Sequence, residues 1–104
     1  MSQPPSQPIP PDDCTTMAQV RAGVDAVDRA IGTLLATRFG YMRAAARIKP
    51  DRGAVRDEPR KAEVIANAVA QAKAEGYPEA IAAELWERLV EASIAYELEA
   101  FDAR

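Results

Sequence analysis

Apolar positions recur at steps of three and four along most of the chain, the spacing that gathers side chains on one face of an α-helix. In residues 15–49, Met17, Val20, Val24, Val27, Ile31, Leu34, position 38, Tyr41, Ala45 and Ile48 form a sustained heptad seam. Thr15 or Thr16 can cap its start. Pro50 ends it, because the residue before a proline is pushed out of the α region. Residues 50–56 read as a short loop. Asp57 or Glu58 then opens a second helix, with Pro59 tolerated in its first turn; it runs to about Glu75 and carries Ala62, Ile65, Val69 and Ala72 on one face. Gly76 is a helix stop. A third helix starts after Tyr77 and Pro78 and covers about 79–102, with a stripe of Ile81, Leu85, Trp86, Leu89, Val90, Ala92, Tyr96 and Phe101. No segment alternates with the period of a strand. The pattern predicts an all-α chain of three helices with a long N-terminal one.

Ahead of the first helix, residues 1–14 (MSQPPSQPIPPDDC) hold five of the eight prolines and few core formers. This predicts a disordered, Pro-rich tail, leaving 15–104 as one helical domain. A first helix of about 33 residues would span roughly 50 Å. Nothing else in a chain of 104 residues is large enough to cover it. The seam therefore needs either a folded-back hairpin or a second copy of itself. Gly23, Gly32 and Gly40 each cost up to about 1 kcal/mol within the helix, tolerable where backbones approach closely.

Composition narrows the chemistry. Histidine is absent, which removes the commonest general base and zinc ligand, so no Ser–His or Cys–His nucleophile can be built. No Gly-rich phosphate loop is present. A single cysteine, Cys14, excludes an intramolecular disulfide and suits a cytoplasmic protein. No stretch approaches the roughly 20 apolar residues of a membrane helix, and no basic segment followed by an apolar run marks a secretion signal. The net charge of −3 hides an asymmetry: residues 15–61 hold ten Arg and Lys against five Asp and Glu, and residues 62–104 hold three against nine. The acidic second half, with no recognition motif, speaks against nucleic-acid binding.

One seam position is out of place. Arg38 stands between Leu34 and Tyr41 where an apolar side chain belongs, and a charge there must be paired or it costs several kcal/mol. Lys49 lies eleven residues on, about 20° around the helix and about 16 Å along it. Two long cations can lean toward each other over Met42, Ala45 and Ala46, a geometry suited to a small dianion. A register device or an intrachain salt bridge is the plainer alternative. Arg60, in the first turn of the second helix, can approach the same space. Ser93 and Glu97, at i and i+4 of the third helix, put a hydroxyl and a carboxyl on a largely apolar face, where the carboxyl has an incentive to keep its proton. Arg21 is about 25 Å from Arg38 along the helix. It reaches such a site only from a second, antiparallel copy; otherwise it pairs with Asp25.

These residues in this order resemble the all-helical chorismate mutase family, which includes isochorismate pyruvate lyases. The resemblance covers about residues 12–102. It rests on Arg21 followed by Val24-Asp25 and Val27-Asp28, Leu34-Leu35, Arg38, Lys49, V-R-D at 55–57 with Arg60, and L-V-E-A-S-I at 89–94 with Glu97. It implies an intertwined homodimer in which long first helices pair and each site takes Arg21 from the opposite subunit to grip one carboxylate of chorismate or isochorismate. It further implies that Arg38 holds the other carboxylate, and that Lys49 meets a carboxylate and the ether oxygen. Glu97 would hydrogen-bond that oxygen, while Asp57, Arg60 and Ser93 line or order the pocket, all with no cofactor and no metal. Lys61 stands where mutases of the family commonly place a Glu on the substrate hydroxyl. The stretches D-D-C-T-T-M and Y-M-R-A-A-A-R-I-K are closer to the lyase branch, V-R-D to the mutase branch. The mutase is placed first, the lyase second, and a helical dimerisation module without enzymatic activity third.

Overall fold

The computed structural model describes residues 8–104. Three helices carry the chain: α1 (Met17–Ile48), α2 (Glu58–Glu75) and α3 (Glu79–Asp102), with short 3-10 turns at Pro11–Asp13 and Arg52–Ala54 and no strand among the described residues. The chain divides into two compact units, one ending at Arg38 and the other spanning Phe39–Arg104.

In the first unit α1 opens on a reciprocal cap. The Gln19 backbone N–H donates to Thr16 Oγ1 at 3.2 Å, and Gln19 Oε1 accepts from the N–H groups of Thr15 and Thr16 at 2.7 and 3.2 Å. Orphan amides of the first turn are thus satisfied by side chains, the capping-box arrangement. Part of the predicted Pro-rich tail precedes it. Its prolines fix φ, and Pro11–Asp13 close into a 3-10 turn whose amides return to Pro10 and Pro11 at 2.9 and 3.3 Å. Of the predicted tail, residues 1–7 lie outside the described residues. The seam of α1 is bare, from Met17, Val20, Val24, Val27 and Ile31 to Leu34 at 68 % exposed, and again at Tyr41 and Ile48. A Cβ added at Gly23 or Gly32 would meet nothing within 4 Å among the described residues beyond its own helix.

The second unit is built from local stops. After Pro50, the Asp51 side chain accepts from the Ala54 N–H at 3.1 Å and closes the second 3-10 turn. Asp57 caps α2 by accepting from the Arg60 N–H at 3.0 Å, with Pro59 in the first turn. Gly76, at φ 87°, ends α2 in the left-handed region that only glycine enters without cost, its N–H bonded to the Ala72 carbonyl at 2.8 Å. Helices α2 and α3 pack together, with Ala72 and Ala82, one from each, wholly buried. Val55, Val90 and Ile94 form the core, joined by Val64, Leu98 and Phe101.

Close packing on alanines turns α3 relative to its predicted face, while α2 covers Ile65, Val69 and Ala72 of its own. Ala62, Ile81, Leu85 and Ala92 are exposed, while α3 buries Ala82, Val90, Ser93, Ile94 and Glu97. A small residue at the contact lets the backbones approach, and bulkier Ile81 and Leu85 are left on the rim. The buried face of α3 therefore carries two polar side chains.

Candidate active site

The centre of that polar pair is Glu97. Its carboxyl is 5 % exposed, and Lys49 Nζ donates to its Oε2 at 2.6 Å. Lys49 sits just past α1, its own N–H still bonded to the Ala45 carbonyl at 2.9 Å. The lysine side chain keeps 29 % of its surface open. Burying a charge is costly unless it is paired, and here the carboxylate is enclosed while the ammonium keeps a route to solvent. An incoming anion can meet the ammonium without first exposing the carboxylate. The burial expected of Glu97 is present, and its neighbour is a cation. One turn earlier on α3, buried Ser93 donates from Oγ to the Leu89 carbonyl at 2.7 Å. Ala46, in the last turn of α1, is buried as well.

Several contacts hold this corner. Arg104 Nη1 donates to the carbonyls of Ala46 and Lys49 at 3.1 and 2.8 Å, and Nη2 to that of Pro50 at 3.4 Å. Its guanidinium lies 3.6 Å over the Phe101 ring. Arg52 grips Asp102 through two hydrogen bonds, at 2.9 and 3.3 Å. Phe39 meets Tyr96 edge-on with ring centroids 4.9 Å apart, and the Tyr96 hydroxyl accepts from Arg43 at 2.7 Å.

The structure does not bring Arg60 or Lys61 to the Lys49–Glu97 pair. Arg60 is exposed and bound to Glu63 one turn on. Lys61 donates to Glu87 at 2.9 Å and Glu91 at 2.8 Å. On α3, Glu91 lies six residues before Glu97, about 120° away around the helix, so Lys61 engages a different face. Asp57 acts as the cap of α2. Arg56 completes the cluster, donating to Glu58 at 2.8 Å and to both oxygens of Glu91 at 3.0 and 2.8 Å. Hydrogen bonds from Arg56, then Lys61, hold the Glu91 carboxyl down to about 2. Hydrogen bonding to Glu91, then to Glu87, pushes the Lys61 ammonium up.

Arg21 and Arg38 belong to the first unit. Arg21 is exposed on α1 and forms no ion pair with Asp25, the alternative its spacing offered. Arg38 is half-buried. A groove of about 390 Å³ in this unit is lined by Pro8, Ile9, Pro11, Cys14, Val24 and Asp28, among others. Its one carboxylate and apolar walls offer nothing to a dianion.

Arg104 and the Arg56–Glu91–Lys61 cluster were not anticipated from sequence. Glu87 and Glu91, at i and i+4 of α3, put two carboxylates side by side and so asked for a cation; nothing local marked Arg104. Residues 20–98 match the model of a family described as chorismate mutase type II. No curated protein matches the chain.

Proposed function

The chain belongs to the chorismate mutase type II family, and on that premise we propose that it rearranges chorismate to prephenate in aromatic amino-acid biosynthesis. In this pericyclic step a C–O bond breaks while a C–C bond forms within one molecule. No nucleophile is required, which suits a chain without histidine. The protein has to hold a folded conformer of the dianion and stabilise the charge that grows on the ether oxygen. The observation that carries the reading is the Lys49–Glu97 pair at 2.6 Å, enclosed on the carboxylate side and open on the ammonium side. Lys49 presents an N–H donor to the ether oxygen, and Glu97, when it carries a proton, adds a second. Arg38 grips one carboxylate, and Arg21 of the partner subunit grips the other.

The partner is a second copy of the chain. The seam of α1 supports it: apolar side chains repeat along the helix while staying largely exposed, the surface two long helices bury on each other. Asp57 orders the entrance by capping α2, and Ser93 lines the pocket beside Glu97. Arg60 is held by Glu63, and Lys61 by Glu87 and Glu91, away from the Lys49–Glu97 pair. The protein acts without cofactor or metal, in the cytoplasm; no helix among the described residues is long and apolar enough to cross a membrane.

A second reading takes the same dianion class to a different end: isochorismate cleaved to salicylate and pyruvate. It is favoured by Lys61, which replaces a hydroxyl-binding carboxylate and is itself engaged by Glu87 and Glu91. Purified protein offered each substrate separately decides. Prephenate from chorismate supports the mutase, and salicylate plus pyruvate from isochorismate supports the lyase. Turnover of neither, with no rise in melting temperature on adding either dianion, overturns both and leaves a dimerisation module.

A further inference from the structure

Lys49 is held at two ends, by α3 and by the residue that follows its cap. Its ammonium meets Glu97, and its own carbonyl accepts from Arg104 at 2.8 Å. Glu97 lies on α3, whereas Arg104 follows the cap residue Ala103, just past the end of that helix. The guanidinium also takes the carbonyls of Ala46 and Pro50, at 3.1 and 3.4 Å. Ala46 is in the last turn of α1, whose final carbonyls have no partner within the helix, and Pro50 lies just beyond its end. A cation there also answers the negative end of the helix dipole. Stacking over Phe101 at 3.6 Å keeps the guanidinium from swinging away.

We infer that Arg104 is a positioning residue for Lys49, fixing the backbone from which the reactive ammonium projects. The inference rests on the proposed reading of the site and adds to it a residue outside the stretch that matches the family model, which ends at residue 98. The reason is geometric. Lys49 stands where α1 has ended and the backbone turns at Pro50, so its carbonyl has no helical successor to bind it. A long side chain on a loosely held backbone samples many positions. Catalysis by placement is sensitive to this, since a misplacement of about 1 Å can cost on the order of a hundredfold.

The test compares the full chain with Arg104→Gln, Arg104→Lys and, as a control, Arg52→Ala, which cuts the neighbouring exposed pair with Asp102. Steady-state kinetics on the substrate the wild type turns over are read beside amide hydrogen exchange at residues 46–52. Arg104→Gln is expected to lower kcat at least about tenfold while KM moves less than about threefold. Exchange should quicken at 46–52 but not in the middle of α2. Arg104→Lys, which keeps a cation but satisfies fewer carbonyls, is expected in between, and Arg52→Ala near wild type. Wild-type kcat in Arg104→Gln, or a loss shared equally by Arg52→Ala, overturns the inference and leaves the functional reading standing. A wild-type chain inert toward both dianions overturns the functional reading and this inference with it. Should Arg104→Gln fail to fold, Arg104→Lys decides: kcat equal to wild type with unchanged exchange counts against positioning.

Discussion

Lys49 and Glu97 share a contact but not an environment, the one 29 % exposed and the other 5 %. Their loss is accordingly unequal. Lys49→Met strands a carboxylate where water does not reach, and is expected to destabilise the fold by about 3 kcal/mol. Glu97→Gln leaves an ammonium that solvent can still hydrate, and costs clearly less. In urea melts the double variant is expected to recover much of what Lys49→Met loses, a coupling that a double-mutant cycle reads directly. Turnover does not recover: Lys49→Met and the double variant both lose at least about a hundredfold in kcat. Equal stability losses for the two single variants would argue against the unequal burial. Arg38, Lys49 and Glu97 stood out in the sequence because each breaks an apolar stripe, a signal visible one residue at a time. That Lys49 meets Glu97 was not visible, since the two are 48 positions apart and meet only once α3 has packed.

Between helices, spacing is set by alanine. Ala82 on α3 and Ala72 on α2 are wholly buried, and Ala82→Leu forces the pair apart, a change expected to cost about 1–3 kcal/mol in thermal or urea unfolding. The same two helices are tied near the start of α2 by Arg56, Lys61 and Glu91. The Glu91 carboxyl is held at about 2 when folded, against an ordinary 4.5. A carboxylate with a depressed value stabilises the fold above the ordinary one and loses that contribution as pH falls through the folded value. Melting temperature is therefore expected to drop between about pH 4.5 and 2, and Glu91→Gln to flatten that stretch of the profile; the pair is exposed, so added salt weakens the effect. Helix limits were legible because their stops are local: the Thr16–Gln19 cap, Pro50, Asp57 before Pro59, and Gly76. The buried faces of α2 and α3 were less so. Apolar periodicity marks a stripe, but which edge of it is covered depends on the small residues that admit the neighbour, and this left Ile81 and Leu85 outside.

At the scale of the whole molecule the proposal joins two chains. A site that takes Arg38 from one and Arg21 from the other makes a definite prediction for mixtures. Arg21→Ala and Arg38→Ala chains, each inactive alone, are expected to regain about a quarter of wild-type activity after unfolding and refolding together, because half the pairs are mixed and each mixed pair holds one intact site. No recovery would place Arg21 in the site of its own chain or in none. Val27→Asp with Ile31→Asp, which puts charge on the bare seam, is expected to shift the species seen by sedimentation from dimer to monomer and abolish turnover with it.

The uncovered seam also bears on a chain newly released from the ribosome. Until something covers it, a strip of Met, Val, Ile, Leu and Tyr remains adhesive to any greasy surface nearby. On the proposed pairing of two copies, pairing must outrun clumping, and it slows as chains grow scarce. Yield in a producing cell is then governed less by the strength of the fold than by how soon two copies meet.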